Sequence, residues 1–175
     1  LIERTPQRAL MLQQGVFSIQ SISSGAAHAL SDDVSIEPIA VPHRAELSDM
    51  HAFVVRGPNR SLLFLPDHDT WEETLAHHGV STVRDWLAQL RVDVALVDGT
   101  FWSSDELSGR SQLEVPHPPV VETLERLGPR QQDDPEIFFI HLNHTNPLYD
   151  CASPQHQKLL KMGWKLGQQG MTFTL

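Results

Sequence analysis

One cysteine, Cys151, stands in 175 residues. That scarcity excludes an internal disulfide and any thiolate zinc cluster, and it fits a reducing, cytoplasmic compartment. Cys151 has Asp150 beside it and no basic sequence neighbour to favour a thiolate, so it is a poor nucleophile candidate. Basic residues are also short, with 13 Lys and Arg against 22 Asp and Glu for a formal net charge of -9. A sequence-independent grip on nucleic acid needs clustered cations, so the balance argues against nucleic acid and against anionic membrane surfaces. No apolar run approaches the roughly 18 residues of a membrane span. A glycine-rich phosphate loop and a G-x-S-x-G elbow are both missing, which removes the dinucleotide-binding and serine-hydrolase options.

What is there reads as alternating strands and helices. "VFSIQSI" (16–22) and "VSIEPIAV" (34–41) are rich in β-branched residues and partly alternate, so both predict strands. "HAFVVRGPNRSLLFLPD" predicts a hairpin turning at Gly57-Pro58-Asn59. Helical patterns follow in "TWEETLAHH" and "STVRDWLAQL", the second with Ser81 as cap. "VDVALVDG" and "EIFFIH" are short apolar runs of the buried-strand kind. Between them, "PPVVETLERLG" predicts a helix with Pro at its start and Gly128 at its end. Ser153-Pro154 opens another helix, and "MTFTL" predicts a last strand. The sum is an α/β sandwich with mixed sheet and flanking helices.

Polar residues recur where the predicted strands finish. Asp67 closes "LLFLP", Asp98 closes "VALV", His141 closes "IFFI", and His43 follows "IAV" after Pro42; His117 lies in "EVPHPPV" before a helix. Strand ends are where a sheet fixes the backbone while a loop exposes the side chain. Three His and two Asp form a donor set suited to zinc, iron or manganese. Each position alone also fits a turn, a cap or a solvated loop. His28, His68, His77, His78 and His156 are expected at the surface, His51 as an outward strand residue, and Asp133-Asp134 as solvated loop carboxylates.

Five stretches, "VPHRAELSDMHAF", "LFLPDHDTWE", "VDGTFWSSDELSGR", "EVPHPPV" and "FIHLNHTNP", occur in an order that resembles the pyrroloquinoline-quinone biosynthesis protein B family. The resemblance covers most of the chain from about Phe17. It implies the αββα fold of the metallo-β-lactamase superfamily, of which this chain would be the C-terminal part. It further implies Asp67 and His141 as metal ligands, and His117 as an acid or electrostatic stabiliser. Asp98 becomes the carboxylate that fixes a ligand histidine's tautomer. His144 becomes a substrate-orienting group or alternative ligand, and His43 with Arg44 the substrate-binding pair at the pocket mouth.

The superfamily's H-x-H-x-D-H motif does not occur in these 175 residues. A tight transition-metal site takes three or four protein ligands, so iron or zinc is expected only with further N-terminal ligands. One expectation is therefore a single domain over 1–175, cut from a longer chain whose opening "LIERTPQRAL" is the end of a helix. Its exposed sheet face would be covered by a homodimer partner or by the N-terminal segment. The resemblance implies a metal-dependent oxidation or hydroxylation of a tyrosine-derived, small-molecule or peptide-derived substrate. The alternatives are phosphodiester or ester hydrolysis by a metal-bound hydroxide, or a carrier without turnover.

Overall fold

Connection length decides how the strands of this chain pair. In a computed structural model, which describes residues 4–44, 49–106 and 116–175, seven strands form one sheet in chain order. They are β1 (His28–Ala29), β2 (Ser35–Ala40), β3 (His51–Arg56), β4 (Ser61–Leu65), β5 (Val94–Asp98), β6 (Glu136–Ile140) and β7 (Lys165–Leu166). The first four pair antiparallel, and β4 to β7 pair parallel. A tight turn joins β3 to β4, with Gly57 N–H donating to the Arg60 carbonyl at 3.0 Å. Parallel neighbours need long crossovers. These carry α2 (Trp71–His77) and α3 (Val83–Leu90), then α4 (Val120–Leu127), then α5 (Pro154–Lys161); α1 (Pro6–Gln13) precedes the sheet.

Strand alternation sorts the side chains onto two faces. Leu63, Leu65, Ala95, Val97, Ile137 and Phe139 join Trp71, Trp86, Leu124 and Leu159 of the helices in the main core. The opposite face carries a register row Phe53, Phe64, Leu96 and Phe138 across four strands. It is covered in part by Phe173 and Leu175, while Phe64 stays 40% exposed.

Several local expectations need correction. Residues 16–22 form no strand; Val16, Ile19 and Ile22 are exposed, because alternation without a neighbouring strand leaves the backbone groups unpaired. "MTFTL" forms no strand either; Phe173 packs edge-on against Phe138, and the last strand is made upstream by Lys165 and Leu166 on β6. "LIERTPQRAL" holds the start of a helix, with Thr5 at the N-cap of α1. α3 is capped by Thr82 rather than Ser81: Thr82 Oγ1 accepts from Asp85 N–H at 3.0 Å and donates to the Asp85 carboxylate at 2.7 Å. His156 is buried, its Nδ1 donating to the Leu148 carbonyl at 2.7 Å. His78 is half-buried and stacks on Trp86 at 5.3 Å.

Asp134 is not a solvated loop carboxylate. Arg84 grips it with Nε at 2.7 Å and Nη2 at 2.9 Å, and Gln131 N–H donates at 2.7 Å. Burial by itself raises its pKa, but these donors outweigh burial and hold the carboxyl below its ordinary range. A carboxylate depressed in the folded state adds stability above its unfolded pKa and loses it as pH falls through the folded value. Asp134→Asn should cost about 1.5–3 kcal/mol in urea unfolding at neutral pH, and that deficit should shrink on acidification.

Candidate metal centre

Parallel strands all end on the same edge of the sheet, and that edge collects the functional side chains. β4 runs out through Pro66 into Asp67, β5 ends at Asp98, and β6 ends one residue before His141. Gly99 lets the last two approach. Its N–H donates to the Ile140 carbonyl at 2.9 Å, and a Cβ there would lie 2.9 Å from that carbonyl oxygen and 3.0 Å from Phe139 Cβ. His141 is not the buried last residue of its strand. It sits just beyond β6 with φ +59 and an exposed side chain, a backbone conformation that a non-glycine residue holds only where its surroundings enforce it.

Asp67, His117 and His141 come together, one ligand atom of each lying within 4.8 Å of the others. Asp67 Oδ1 is their centre. His141 Nδ1 lies 3.6 Å from it, His117 Nδ1 3.7 Å, and His43 Nε2 3.9 Å. A carboxylate among imidazole nitrogens at this spacing suits a borderline divalent ion, and the donor set fits zinc or iron.

Hydrogen bonds define the tautomers, since a carboxylate only accepts. His117 Nδ1–H donates to Asp98 Oδ2 at 2.7 Å. Thr100 donates its hydroxyl proton to Asp98 Oδ1 at 2.7 Å, so its oxygen accepts from His141 Nδ1–H at 3.0 Å. Asp98 is buried, and Thr100 N–H also donates to it at 2.9 Å. It thus holds His117 directly and reaches His141 only through Thr100. Burial lowers the His117 pKa, but the Asp98 hydrogen bond and charge, with Asp67 and Asp69 behind them, raise it above the ordinary value.

The remaining expected site residues divide. His43 enters the cluster, its ring 5.4 Å from that of His117. Arg44 is exposed, at φ +33. His144 is exposed, its ring nitrogen 3.1 Å from the Asn143 side-chain oxygen, and it is not among the three residues gathered at Asp67. Parts of three motif stretches, within residues 45–48 and 107–115, lie outside the described residues. A cavity of about 420 Å³ opens beside His141, walled by Leu96, Ile140, Tyr149, Gln168 and Phe173 among others.

Three contributors escaped the sequence reading. Thr100 links Asp98 to His141; its position two residues after a strand-end Asp, where a side chain caps a turn, was the available signal. Asp69 accepts from His43 Nδ1–H at 3.0 Å. His68, expected at the surface, is wholly buried, its Nδ1 3.0 Å from Thr74 Oγ1 and its ring edge-on to Trp71 at 4.5 Å. Turning inward at the strand end places it under the first turn of α2 rather than on it.

A family model described as a β-lactamase superfamily domain matches residues 2–142. Coenzyme PQQ synthesis protein B of Cupriavidus taiwanensis is 37% identical over 110 residues, covering 55% of this chain and 34% of that protein. The protein of the same name from Pseudomonas entomophila is 31% identical over 154 residues, covering 81% and 46%. The chain therefore spans less than half the length of these two relatives. Among solved structures, zinc-bound PqqB from Methylobacterium extorquens superposes with a TM-score of 0.64 at 19% identity, covering 89% of this chain and 52% of that one. The metallo-β-lactamase-fold protein YhfI of Bacillus subtilis gives 0.51 at 10% identity, covering 86% and 53%. The motif resemblance, the sheet and these relatives agree: the chain belongs to the β-lactamase superfamily domain family, with the coenzyme PQQ synthesis B proteins as its curated relatives.

Proposed function

We propose that this chain builds part of a metal-dependent enzyme of quinone-cofactor synthesis, oxidising or hydroxylating a small, carboxylated, tyrosine-derived precursor. The convergence of Asp67, His117 and His141 at one sheet edge carries the reading, and the names of the curated relatives supply the pathway. A bound iron or zinc ion would supply Lewis acidity, and iron would add one-electron chemistry. Asp67 and His141 hold the ion. Asp98 and Thr100 keep the His117 ring in place, and its raised pKa lets it carry a proton to or from a substrate oxygen. Arg44 takes a substrate carboxylate at the mouth, where a guanidinium can grip both oxygens. His144 orients the substrate from the outer side. The cavity beside His141 takes the flat apolar body of the substrate between Leu96 and Phe173.

One observation favours a second reading, hydrolysis of a phosphodiester or ester. His117, fixed by its 2.7 Å hydrogen bond to Asp98 and gathered with Asp67 and His141, is placed to pass a proton to a leaving group. The test loads the purified chain with Fe(II) or Zn(II) and offers a carboxylated tyrosine-derived precursor with oxygen, or a chromogenic phosphodiester. Mass spectrometry showing oxygen insertion or hydrogen loss from the precursor, dependent on His117, is the expected result. Diester cleavage alone transfers the assignment to hydrolysis, and binding of the precursor without turnover transfers it to a carrier role. Failure to take up either ion, both by the chain alone and together with the N-terminal segment expected to complete the site, sinks the metal-dependent readings together.

A further inference from the structure

Of the polar residues in "HLNHTNP", His144 lies exposed outside the cluster, whereas Asn146 is buried at 2% exposure. Asn146 precedes Pro147 in an extended conformation, at φ -66 and ψ 123, and caps the single 3-10 turn Pro147–Tyr149. Its side-chain oxygen accepts from Leu148 N–H at 3.0 Å. Its amide nitrogen points the other way, donating to the Gly99 carbonyl at 2.8 Å and to the Thr100 carbonyl at 3.3 Å. The amide cannot be turned round, because carbonyls only accept and a backbone N–H only donates.

These bonds lace two strand ends together. Gly99 N–H donates to the Ile140 carbonyl at 2.9 Å, Asn143 N–H donates to the Thr100 carbonyl at 2.9 Å, and Asn146 adds its two bonds to the same peptide units. The backbone that carries Thr100 is thereby fixed against the loop that carries His141. The Thr100 hydroxyl meets Asp98 Oδ1 at 2.7 Å and His141 Nδ1 at 3.0 Å, with His117 Nδ1 3.3 Å away. A displacement of about 0.5 Å would stretch the His141 contact to roughly 3.5 Å, where such a bond ceases to count. Capping alone does not explain the residue type. An aspartate or serine would accept from Leu148 N–H as well, and neither carries two N–H donors.

We infer that Asn146 is a positioning residue that acts through Thr100: it locks the Asp98–Thr100 turn to the loop after β6 and so keeps the His141 ring proton on Nδ1. The inference rests on the site proposed above and deepens it by naming the group that aligns two of its loops. Its test is read on the metal-free chain. A failure of metal uptake or turnover therefore leaves it standing, and its own failure leaves the metal site standing.

Nitrogen NMR of isotope-labelled histidines, on the full chain with a chelator present, reads which ring nitrogen carries the proton. In the parent, His141 should show a protonated Nδ1, and Thr100 a hydroxyl proton slow to exchange. Asn146→Asp keeps the cap on Leu148 but loses both donors. It should shift the His141 Nδ1 signal toward the unprotonated position and lose the Thr100 hydroxyl proton to exchange, while the exposed His77 ring stays unmoved. Thr100→Val should produce the same His141 shift, and adding Asn146→Asp to it should add nothing, since both changes act through one hydroxyl. Circular dichroism checks that each variant folds, and Asn146→Ser, uncharged and still able to cap, decides the matter if Asn146→Asp does not fold. An unchanged His141 signal in a folded Asn146 variant would overturn the positioning role and reduce the residue to a cap. Additive shifts in the double variant would overturn the route through Thr100, and a parent His141 protonated on Nε2 would overturn the inference outright.

Discussion

Asp67→Ala should abolish divalent-metal binding by this chain, with a loss larger than the roughly 10- to 100-fold that follows removal of a ligand's outer partner. The reason is geometric. Its Oδ1 is the common neighbour of His141, His117 and His43, at 3.6, 3.7 and 3.9 Å. Without it the three rings keep their positions but surround no anionic donor, and Asp98 is committed to His117 and Thr100. Affinity measured by zinc or cobalt titration, with metal content after gel filtration, gives the readout. Asp150→Asn, on an exposed loop residue, should leave both unchanged. A full complement of tightly held metal in Asp67→Ala would show that the ion binds elsewhere.

Acid should destabilise the metal-free protein through His68. Its side chain is wholly buried, and burial lowers its pKa from 6.5 to about 4. The charges of His117 and His43 act in the same direction, while Asp98 and a hydrogen bond at Thr70 oppose them. The folded protein keeps the ring neutral where the unfolded chain already binds a proton. Stability is therefore complete above about pH 6.5 and declines as pH falls toward about 4, since the unfolded state takes up more protons in that window. At about 1.4 kcal/mol per unit, the full decline is on the order of 3 kcal/mol. Urea midpoints in the presence of a chelator, compared between the parent and His68→Gln, isolate it from the carboxylates. The variant should start less stable and lose less on acidification. Parallel curves for the two proteins would count against a neutral buried His68.

The order of elements was legible because it rests on local signals. Val94–Asp98 and Glu136–Ile140 are buried strands, as continuous β-branched and aromatic runs imply. Ser153 caps α5 by accepting from His156 N–H at 3.1 Å, as a Ser-Pro pair foretells. The signal failed where a strand needs a neighbour: residues 16–22 alternate as well as residues 34–41, and only the second segment finds β3. The histidines show the same boundary. Nothing local separates His68 and His156, both buried, from His77, which is exposed; the distinction depends on the turn after β4, which folds His68 inward, and on which faces of α2 and α5 meet the sheet.

By itself, then, the sequence determined that Asp67, Asp98 and His141 would follow successive strands, because strand periodicity and turn chemistry are written in neighbouring residues. It also determined the family, through motifs whose order survives without coordinates. Only the tertiary structure decided that Asp98 holds His117 directly, that Thr100 bridges to His141, and that Asp69 turns His43 toward Asp67. Those relations join residues up to 41 positions apart. They depend on parallel strands ending at a common edge and on a Gly99 close enough to β6 to bring the ends together, neither of which a local pattern encodes.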